Sequence, residues 1–439
     1  MRTNSGRRAG AVLLTVAAGV SLLLGASRAP AAGGHHAPAQ TTPGQTTPGQ
    51  GAPVQATGAT VPGVSGAYQF LNQMMDRYAA GPVPRLVQSY TGGVLGAQDY
   101  TASSSYDDAL VVDAYLAERT AGGRARAEAV GHAMLLALAR AAPQGGGLYD
   151  EYTPAPLYLP ADVQPASGSR TTGNAAWAGN ALVQLYAATG ARSYLTGAEN
   201  LAAWIQANSA DTRGPGGYTG GYANSGTRLE WKSTEQNIDV YAFFSLLGRQ
   251  SGLATWAARA GLARRFVVSM WNPAAGRFSL GTTTDGVTIN DSPQAEDVNS
   301  LSYLALQSPA YAASVGWDVR NLASGTGRLR GVSICPGDRT GVWFEGTAHL
   351  AEALATRARP GDSAQAAAYL TDIAYAQAHG PDEDGLGIMA ASKDGLTDCE
   401  GDSVYASLHT GTTAWYILAA QRVNPLSATT PISAQQRPA

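Results

Sequence analysis

The feature that most constrains this chain is a unit that recurs six times along it. Each unit starts with a polar or acidic residue, continues as a strongly apolar stretch with helical spacing, turns at a glycine and ends in an Ala-rich amphipathic stretch. The apolar stretches begin near Tyr106, Thr172, Ser233, Ala295, Trp343 and Thr410. Successive starts lie about 50 to 65 residues apart, which is too long for solenoid repeats and suits helical hairpins with sizeable loops.

The two kinds of stretch predict inner and outer helices. The first kind is apolar on nearly all sides and should be buried, whereas the second carries Arg, Gln and Asp on one face. The predicted outer helices are 124–140, 198–208, 254–269, 310–322 and 363–378, with an N-terminal helix over 67–78 as the sixth. Six inner and six outer helices predict an all-α fold, an (α/α)6 toroid. An open α-solenoid fits less well, because long Gly-rich and Tyr-rich loops precede several inner helices.

Short β segments are predicted in the rim loops of this toroid. The clearest case pairs Arg277 to Leu280 with Val287 to Asn290 across the sequence TTTDG, where an Asp-Gly turn joins two short runs.

The N-terminal residues predict export. Arg2, Arg7 and Arg8 precede an apolar run and a cluster of small residues, so residues 1–32 are interpreted as a secretory signal peptide. The apolar run is short for a membrane span. Residues 33–62 are rich in Thr, Pro, Gly and Gln and predict a flexible linker. The barrel is expected to occupy 63–424, and 425–439 to form a flexible tail.

The charge balance and the cysteine content limit the binding partners, disulfides and metal sites that can be expected. The chain has 29 basic and 32 acidic residues, and this mildly acidic balance argues against nucleic acid or an anionic membrane as a partner. Cys335 and Cys399 are predicted to form a disulfide in an oxidising compartment, the alternative being two free buried thiols. The sequence contains no Cys/His cluster of metal-binding spacing, so neither a metal nor a cofactor is expected. No heptad pattern suggests an oligomer, and a monomer is expected.

Polar residues mark the start of the inner helices. If these helices run in one direction around the ring, their first turns face one funnel; the alternative is that the polar residues only cap the helices. Glu235 and Asp239 are four residues apart and therefore share one helix face. In the adjacent pair Asp107 and Asp108, the second is predicted to point inward. The predicted catalytic residues are Asp108, Glu235, Asp239, Asp297 and Glu345.

Paired carboxylates in a cleft are what glycoside hydrolysis requires, one protonated to assist the leaving group and one ionised. Aromatic and amide side chains near the same rim are expected to bind sugar, since flat rings stack on sugar faces. The predicted substrate-binding residues are Tyr106, Trp177, Trp231, Trp343, Asn237 and Asn299. Core packing is the alternative for the aromatic residues. His349 lies four residues after Glu345 and is predicted to be a packed core residue.

The string TTGNAAWAGNALVQLYAATGARSYL, together with the recurrence of helix pairs over 66–424, resembles the six-hairpin glycosidase superfamily. That resemblance implies an (α/α)6 barrel with its active site at the N-terminal ends of the inner helices. It also implies a carbohydrate-active enzyme, and the superfamily includes epimerases as well as hydrolases, while related toroids include polysaccharide lyases.

The sequence therefore predicts a secreted glycoside hydrolase that acts on an oligo- or polysaccharide. A lyase or an epimerase on the same toroid is the first alternative, and it would need a Tyr, His or similar base in place of a carboxylate pair. The second alternative is a non-catalytic glycan-binding toroid in which the acids are helix caps and only the aromatic rim matters.

Overall fold

The computed structural model describes residues 61, 63–78, 83–153, 166–398 and 401–435. Within these ranges the helices are α1 (Val64–Asp76), α2 (Gly93–Ala97), α3 (Ser105–Glu118), α4 (Ala121–Ala141), α5 (Thr172–Thr189), α6 (Arg192–Ser209), α7 (Thr234–Ser251), α8 (Ala254–Ser269), α9 (Glu296–Leu306), α10 (Ala313–Asn321), α11 (Phe344–Arg357), α12 (Asp362–His379) and α13 (Thr410–Ala420).

The inner helices are α3, α5, α7, α9, α11 and α13, and each packs against the next, with α13 returning to α3 to close the ring. The outer helices are α1, α4, α6, α8, α10 and α12, and each packs against an inner partner. The predicted all-α (α/α)6 toroid is therefore confirmed. So is the role of the N-terminal helix, because α1 lies against α13 and completes the sixth hairpin.

Burial explains which helices lie inside. In α13 every residue from Thr410 to Ala419 is buried, and its three threonines all lie in the first turn. In contrast, α1 buries one stripe of apolar residues, Phe70, Leu71, Met74 and Met75 among them. Left-handed glycines end two of the inner helices, Gly190 after α5 and Gly252 after α7, a backbone conformation that L side chains adopt at a cost.

Short antiparallel strands line the rim of the toroid. They are β1 (Tyr90–Thr91), β2 (Ser103–Ser104), β3 (Glu151–Tyr152), β4 (Arg170–Thr171), β5 (Gly221–Tyr222), β6 (Arg228–Leu229), β7 (Trp271–Asn272), β8 (Arg277–Phe278), β9 (Gly281–Thr282), β10 (Ile289–Asn290), β11 (Ala323–Thr326), β12 (Leu329–Val332), β13 (Leu396–Thr397), β14 (Ser403–Val404) and β15 (Leu408–His409).

The predicted pairing of 277–280 with 287–290 is wrong. Strand β8 pairs with β7, and β10 pairs instead with β9, so the TTTDG turn joins a hairpin whose first arm begins four residues later than β8. Strand β8 is held in its own place by Asn299, whose Oδ1 accepts a hydrogen bond from the Phe278 amide at 2.9 Å.

That contact belongs to a pattern that positions the rim. The fourth residue of five inner helices accepts a hydrogen bond from a backbone amide of the loop before it. The pairs are Asp108 with Val87, Asn237 with Tyr218, Asn299 with Phe278, Thr347 with Val332 and Thr413 with Ile388. In α5 the same position is Ala175. We refer to these five polar residues as the loop anchors.

The prediction of a flexible tail over 425–439 is wrong for residues 425–435. Leu426 and Ile432 are buried. The Ile432 amide donates to Gln184 in α5 at 2.9 Å, and the Asn180 side chain donates to the Pro425 carbonyl at 2.9 Å. The apolar residues of this segment cover the C-terminal halves of inner helices, which would otherwise be exposed to water.

Several sequence predictions fall on residues outside the described ranges. They include the signal peptide (1–32), almost all of the linker (33–62) and Cys399. Cys335 is buried, and its Sγ lies 3.9 Å from the carbonyl oxygen of Thr397, two residues before Cys399. The disulfide remains a prediction. Within the described residues, no helix is both long enough and apolar enough to cross a membrane.

Candidate active site

Two sets of inner-helix residues face the axis of the toroid, because residues four apart share one helix face. The upper ring consists of the second residue of each inner helix: Tyr106, Gly173, Glu235, Asp297, Glu345 and Gly411. The lower ring consists of the sixth residue: Leu110, Trp177, Asp239, Leu301, His349 and Trp415.

Contacts across the axis show that the two rings converge. The Tyr106 hydroxyl donates to Glu345 Oε1 at 2.7 Å, although α3 and α11 are separated by α13 in the ring. The Trp415 indole nitrogen donates to the Tyr106 oxygen at 2.8 Å. The Trp177 ring lies 5.3 Å from the Tyr106 ring and 5.9 Å from the Trp415 ring, edge to face in both cases. Aromatic rings thus fill the lower part of the site.

One side of the site is built around His409, the residue immediately before α13. Its Nε2 lies 3.2 Å from Asp107 Oδ2, and its Nδ1 lies 3.4 Å from Glu345 Oε2. The imidazole also stacks on the Tyr90 ring at 4.1 Å. We call Asp107, His409 and Glu345 the His409 half of the site.

The two carboxylates decide the charge of His409. Burial alone would lower its pKa, but the charge and hydrogen bond of Asp107, with those of Glu345, raise the pKa to about 9. The Thr412 amide lies 3.2 Å from Nδ1, a capping contact that requires an unprotonated nitrogen. Two carboxylates within 3.4 Å outweigh one long amide contact, so the ring is an imidazolium at neutral pH.

Glu345 is correspondingly held in its ionised form. Burial by itself would raise its pKa, but the hydrogen bond and charge of His409 outweigh that effect, and His349 and the Tyr106 hydroxyl add to it. The net result is that the pKa of Glu345 is lowered. A buried carboxylate at the start of a helix is therefore stable as an anion at this position.

A second imidazole lies beneath Glu345. His349 Nδ1 is 3.3 Å from Glu296 Oε2, and its Nε2 is 3.7 Å from Glu345 Oε1. The ring packs edge to face against Trp415 at 4.3 Å and Trp343 at 5.4 Å. Burial raises the pKa of Glu296, although His349 opposes that shift. The packed environment predicted for His349 is present, and so is a polar contact that the sequence analysis did not anticipate.

The other side of the site, on α7 and α9, is rich in carboxyl groups. Asp239 in the lower ring and Asp297 in the upper ring are both buried, and we call them the Asp297 half. Burial, reinforced by Glu296, raises the pKa of Asp297 to about 7. Burial, with the Asp297 charge second, raises the pKa of Asp239 well above its usual range, while the nearby Trp177 indole opposes it. Glu235, next in the upper ring, is partly exposed, so this side reaches the surface.

Some predicted site residues have structural contacts instead. The prediction that Asp108 faces the axis is wrong: its carboxylate accepts from the Val87 amide and the Ser103 hydroxyl, both at 2.8 Å, and its neighbour Asp107 contacts His409. Asn237 and Asn299 are loop anchors and hold backbone groups of the preceding loops. The Trp231 ring lies against Gly220 in the loop before α7.

The structure thus brings together Tyr106, Trp177, Asp239, Asp297, Trp343 and Glu345, with Glu235 beside them in the upper ring. The predicted site residues did not include Asp107, Glu296 or His409. Aligning the helix starts separates the loop anchors, at the fourth position, from the axial residues at the second and sixth, whereas Asp107 is third and Glu296 first in its helix. His409 had a further signal: it precedes an inner helix where α3, α5 and α7 have Ser or Thr.

The two halves place carboxyl groups in opposite protonation states within one site. Glu345 is an anion, and Asp297 keeps its proton up to about pH 7. Such a split pair can supply one acid and one ionised carboxylate at the same time. Among the described residues, no group of three or more His, Cys, Asp or Glu is arranged to hold a metal ion.

Comparison with known proteins supports the fold. No model of a protein family matches the chain, and no curated protein matches it by sequence. A solved structure titled as a wild-type glycosidase is 14% identical, with a TM-score of 0.56, and the match covers 82% of this chain and 96% of that one.

A cellobiose 2-epimerase from Bacillus thermoamylovorans is 10% identical with a TM-score of 0.60, and the match covers 82% of this chain and 98% of that one. A sugar epimerase from a ruminal bacterium is 12% identical with a TM-score of 0.54, over 81% and 98% of the two chains. The likeness to these structures supports the (α/α)6 toroid fold expected from the sequence.

Proposed function

We propose that this protein is a carbohydrate-active enzyme that hydrolyses glycosidic bonds, with Asp297 and Glu345 as its catalytic pair. The observation that carries the proposal is the different surroundings of these two carboxyl groups, both in the upper ring on adjacent inner helices. The His409 imidazole lies 3.4 Å from Glu345, whereas burial and the neighbouring Glu296 raise the pKa of Asp297 to about 7. Hydrolysis of a glycoside needs one carboxylic acid and one carboxylate at the same bond.

In this mechanism Asp297 donates its proton to the leaving glycosidic oxygen. Its raised pKa suits that task, because a general acid works best when its pKa lies near the working pH. Glu345 acts as the ionised partner, which attacks the anomeric carbon or activates water. Its hydrogen bond from Tyr106 and its contact with His409 hold it in one orientation as an anion.

The surrounding side chains suit a sugar ring. Trp177 and Trp415 form an aromatic floor below the carboxyl groups, and flat rings of this kind stack on the apolar faces of sugars. Glu235 and Asp239 lie on α7 beside Asp297 and offer oxygen atoms to sugar hydroxyls. These contacts support a saccharide as substrate.

The test is a reducing-end assay of the purified protein against a broad panel of oligo- and polysaccharides. Wild-type protein is expected to release reducing ends from at least one substrate, and Asp297→Asn and Glu345→Gln to lose that activity while remaining folded by circular dichroism. The matched control is Glu383→Gln, which changes an exposed glutamate outside the site and should leave the rate unchanged. Full activity in both site variants would overturn the assignment.

A second candidate function rests on a different observation. The two imidazoles each contact a carboxylate, His409 with Asp107 and His349 with Glu296. Two oriented acid–base groups are what proton removal and return next to a sugar carbonyl require, as in an epimerase. Incubation of reducing sugars in deuterated water distinguishes the two functions, because an epimerase incorporates deuterium at C2 and a hydrolase does not.

We also propose that the protein is exported, on the basis of the signal-like sequence of residues 1–32. Protein recovered from the culture medium of a secreting host should begin near residue 33. Retention of residues 1–32 in an intracellular product would contradict export.

A further inference from the structure

The start of the inner helices is rich in acids and contains no fixed cation except histidine. None of the first seven residues of any inner helix is Lys or Arg. Those same positions carry acids that face or adjoin the axis, namely Asp107, Glu235, Asp239, Glu296, Asp297 and Glu345. The one imidazolium, His409, is already placed between Asp107 and Glu345.

Two basic residues in the loop before α7 are bonded to other protein groups. The Lys232 ammonium donates to the carbonyl oxygens of Arg213 and Gly216 at 2.7 and 2.9 Å. Arg213 pairs with Asp211 and Glu230.

Two arginines in the loops before α9 and α5 are also bonded to other protein groups. Arg277 makes two parallel hydrogen bonds to Asp291, at 2.7 and 2.8 Å. Arg170 donates to the carbonyl oxygens of Gln144 and Gly146. The sequence has no Lys or Arg at positions 79–82, 154–165 and 399–400, which lie outside the described ranges.

Buried polar atoms without a partner point to what a ligand must supply. In the described part of the chain, two carboxylate oxygens near the axis have no hydrogen bond, Asp107 Oδ1 and Glu296 Oε1. One donor near the axis, Trp177 Nε1, also has no hydrogen bond. A buried polar group without a partner is destabilising, so a ligand that supplies the missing hydrogen bond gains binding energy from it.

These acceptors match hydroxyl and ammonium groups, which donate hydrogen bonds. They do not match a carboxylate, sulfate or phosphate, which offers only acceptors and needs a cation or several donors when it is buried. An anionic sugar in this site would meet ionised Glu345, and the His409 imidazolium already lies between Asp107 and Glu345.

We propose that the site selects by charge, accepting uncharged and amine-bearing glycans and excluding glycans that carry an acid group on the ring bound there. This inference rests on the proposed function, because it assigns a substrate class to the same site. Charge selection adds to that function by separating neutral and amino sugars from uronic acids and from sulfated or phosphorylated sugars.

The test uses an array of immobilised oligosaccharides that vary in stereochemistry and linkage and include uncharged, amine-bearing and acid-bearing counterparts of the same ring. The full-length protein is applied at neutral pH. We expect binding to uncharged or amine-bearing glycans to exceed binding to acid-bearing counterparts at least about tenfold.

Site variants show whether that binding occurs at the axis. Trp177→Phe removes one unpartnered donor and keeps a ring, and Trp177→Ala also removes the floor; both should weaken binding. Trp271→Ala, a change in β7 away from the axis, is the matched control and should bind as wild type. Melting temperatures identify any variant that fails to fold, and the phenylalanine variant keeps the test valid if the alanine variant does.

Two results would overturn charge selection. In the first, acid-bearing glycans bind as strongly as their uncharged counterparts, and that binding depends on Trp177. In the second, no uncharged or amine-bearing glycan shows binding that depends on Trp177. A reducing-end assay on the same glycans separates the two proposals. Charge-selective binding without hydrolysis would contradict the proposed hydrolase and support the charge selection. Hydrolysis of acid-bearing glycans would support the hydrolase and contradict the charge selection.

Discussion

The His409 half and the Asp297 half of the site contain the same kind of group in the same helical position, yet their charges differ. Glu345 and Asp297 are both the second residue of an inner helix, and both are buried. Glu345 has an imidazolium at 3.4 Å and is an anion, whereas Asp297 has other carboxyl groups for neighbours and keeps its proton to about pH 7. Helix position alone therefore does not set the protonation state; the neighbouring charges do.

The largest expected effect comes from removing either member of the pair. Asp297→Asn cannot donate a proton, and Glu345→Gln cannot act as an anion, so each should lower kcat/KM by about 10²–10⁴-fold. Initial rates on the substrate found in the panel check this. Equal and small losses in both variants would mean that the difference between the two halves has no role in the chemistry.

Removing the positive charge of His409 should affect the His409 half more than the Asp297 half. His409→Gln takes away the charge that lowers the pKa of Glu345, and the pKa should rise. Because Glu345 must be ionised, activity would then disappear at a higher pH on acidification, and the acid limb of the kcat/KM profile should move up by about one to three pH units. The alkaline limb should move less. An unchanged acid limb in an active variant would contradict the role of His409.

A matching substitution in the Asp297 half should move the alkaline limb of the kcat/KM profile. Glu296 is the second cause, after burial, of the raised pKa of Asp297, so Glu296→Gln should lower that pKa. Asp297 must be protonated to act as the acid, so activity would be lost at a lower pH on the alkaline side, by about one unit. A profile whose alkaline limb stays in place would show that Glu296 does not tune Asp297.

The smallest effect on chemistry is expected from the loop anchors. Asn237→Ala leaves the Tyr218 amide and carbonyl without their side-chain partner, which should lower the free energy of unfolding by about 1–3 kcal/mol. Urea unfolding measures that loss, and kcat of the folded variant at low temperature should stay near the wild-type value. A loss of kcat comparable with that of Asp297→Asn would instead place Asn237 in the reaction.

Much of the fold could be predicted from the sequence because its signal is periodic. The starts of all six inner helices were predicted to within one residue, since a polar first turn followed by a continuous apolar stretch marks each of them. The burial of residues 425–435 could not be predicted in this way, because a short segment of mixed composition shows its role only against the surface it covers.

The site was less predictable than the fold. Acids at the helix starts were recognised, but Asp108 and Asp107 differ by one position, and that position decides between a loop amide and His409. The anchors Asn237 and Asn299 carry the same polar groups as a binding residue. Only the loop geometry shows that a backbone amide occupies them. The contact of His409 with Asp107 joins residues 302 positions apart, which no local pattern reveals.

The most direct test of the account is the protonation state of Glu345 and Asp297 in one sample. Difference infrared spectra at pH 6, wild type minus Asp297→Asn and wild type minus Glu345→Gln, isolate the two carboxyl groups. We expect the C=O band of a protonated acid in the first spectrum and the paired bands of a carboxylate in the second. Carboxylate bands in both spectra, or acid bands in both, would contradict the opposite charges on which the proposed hydrolysis depends.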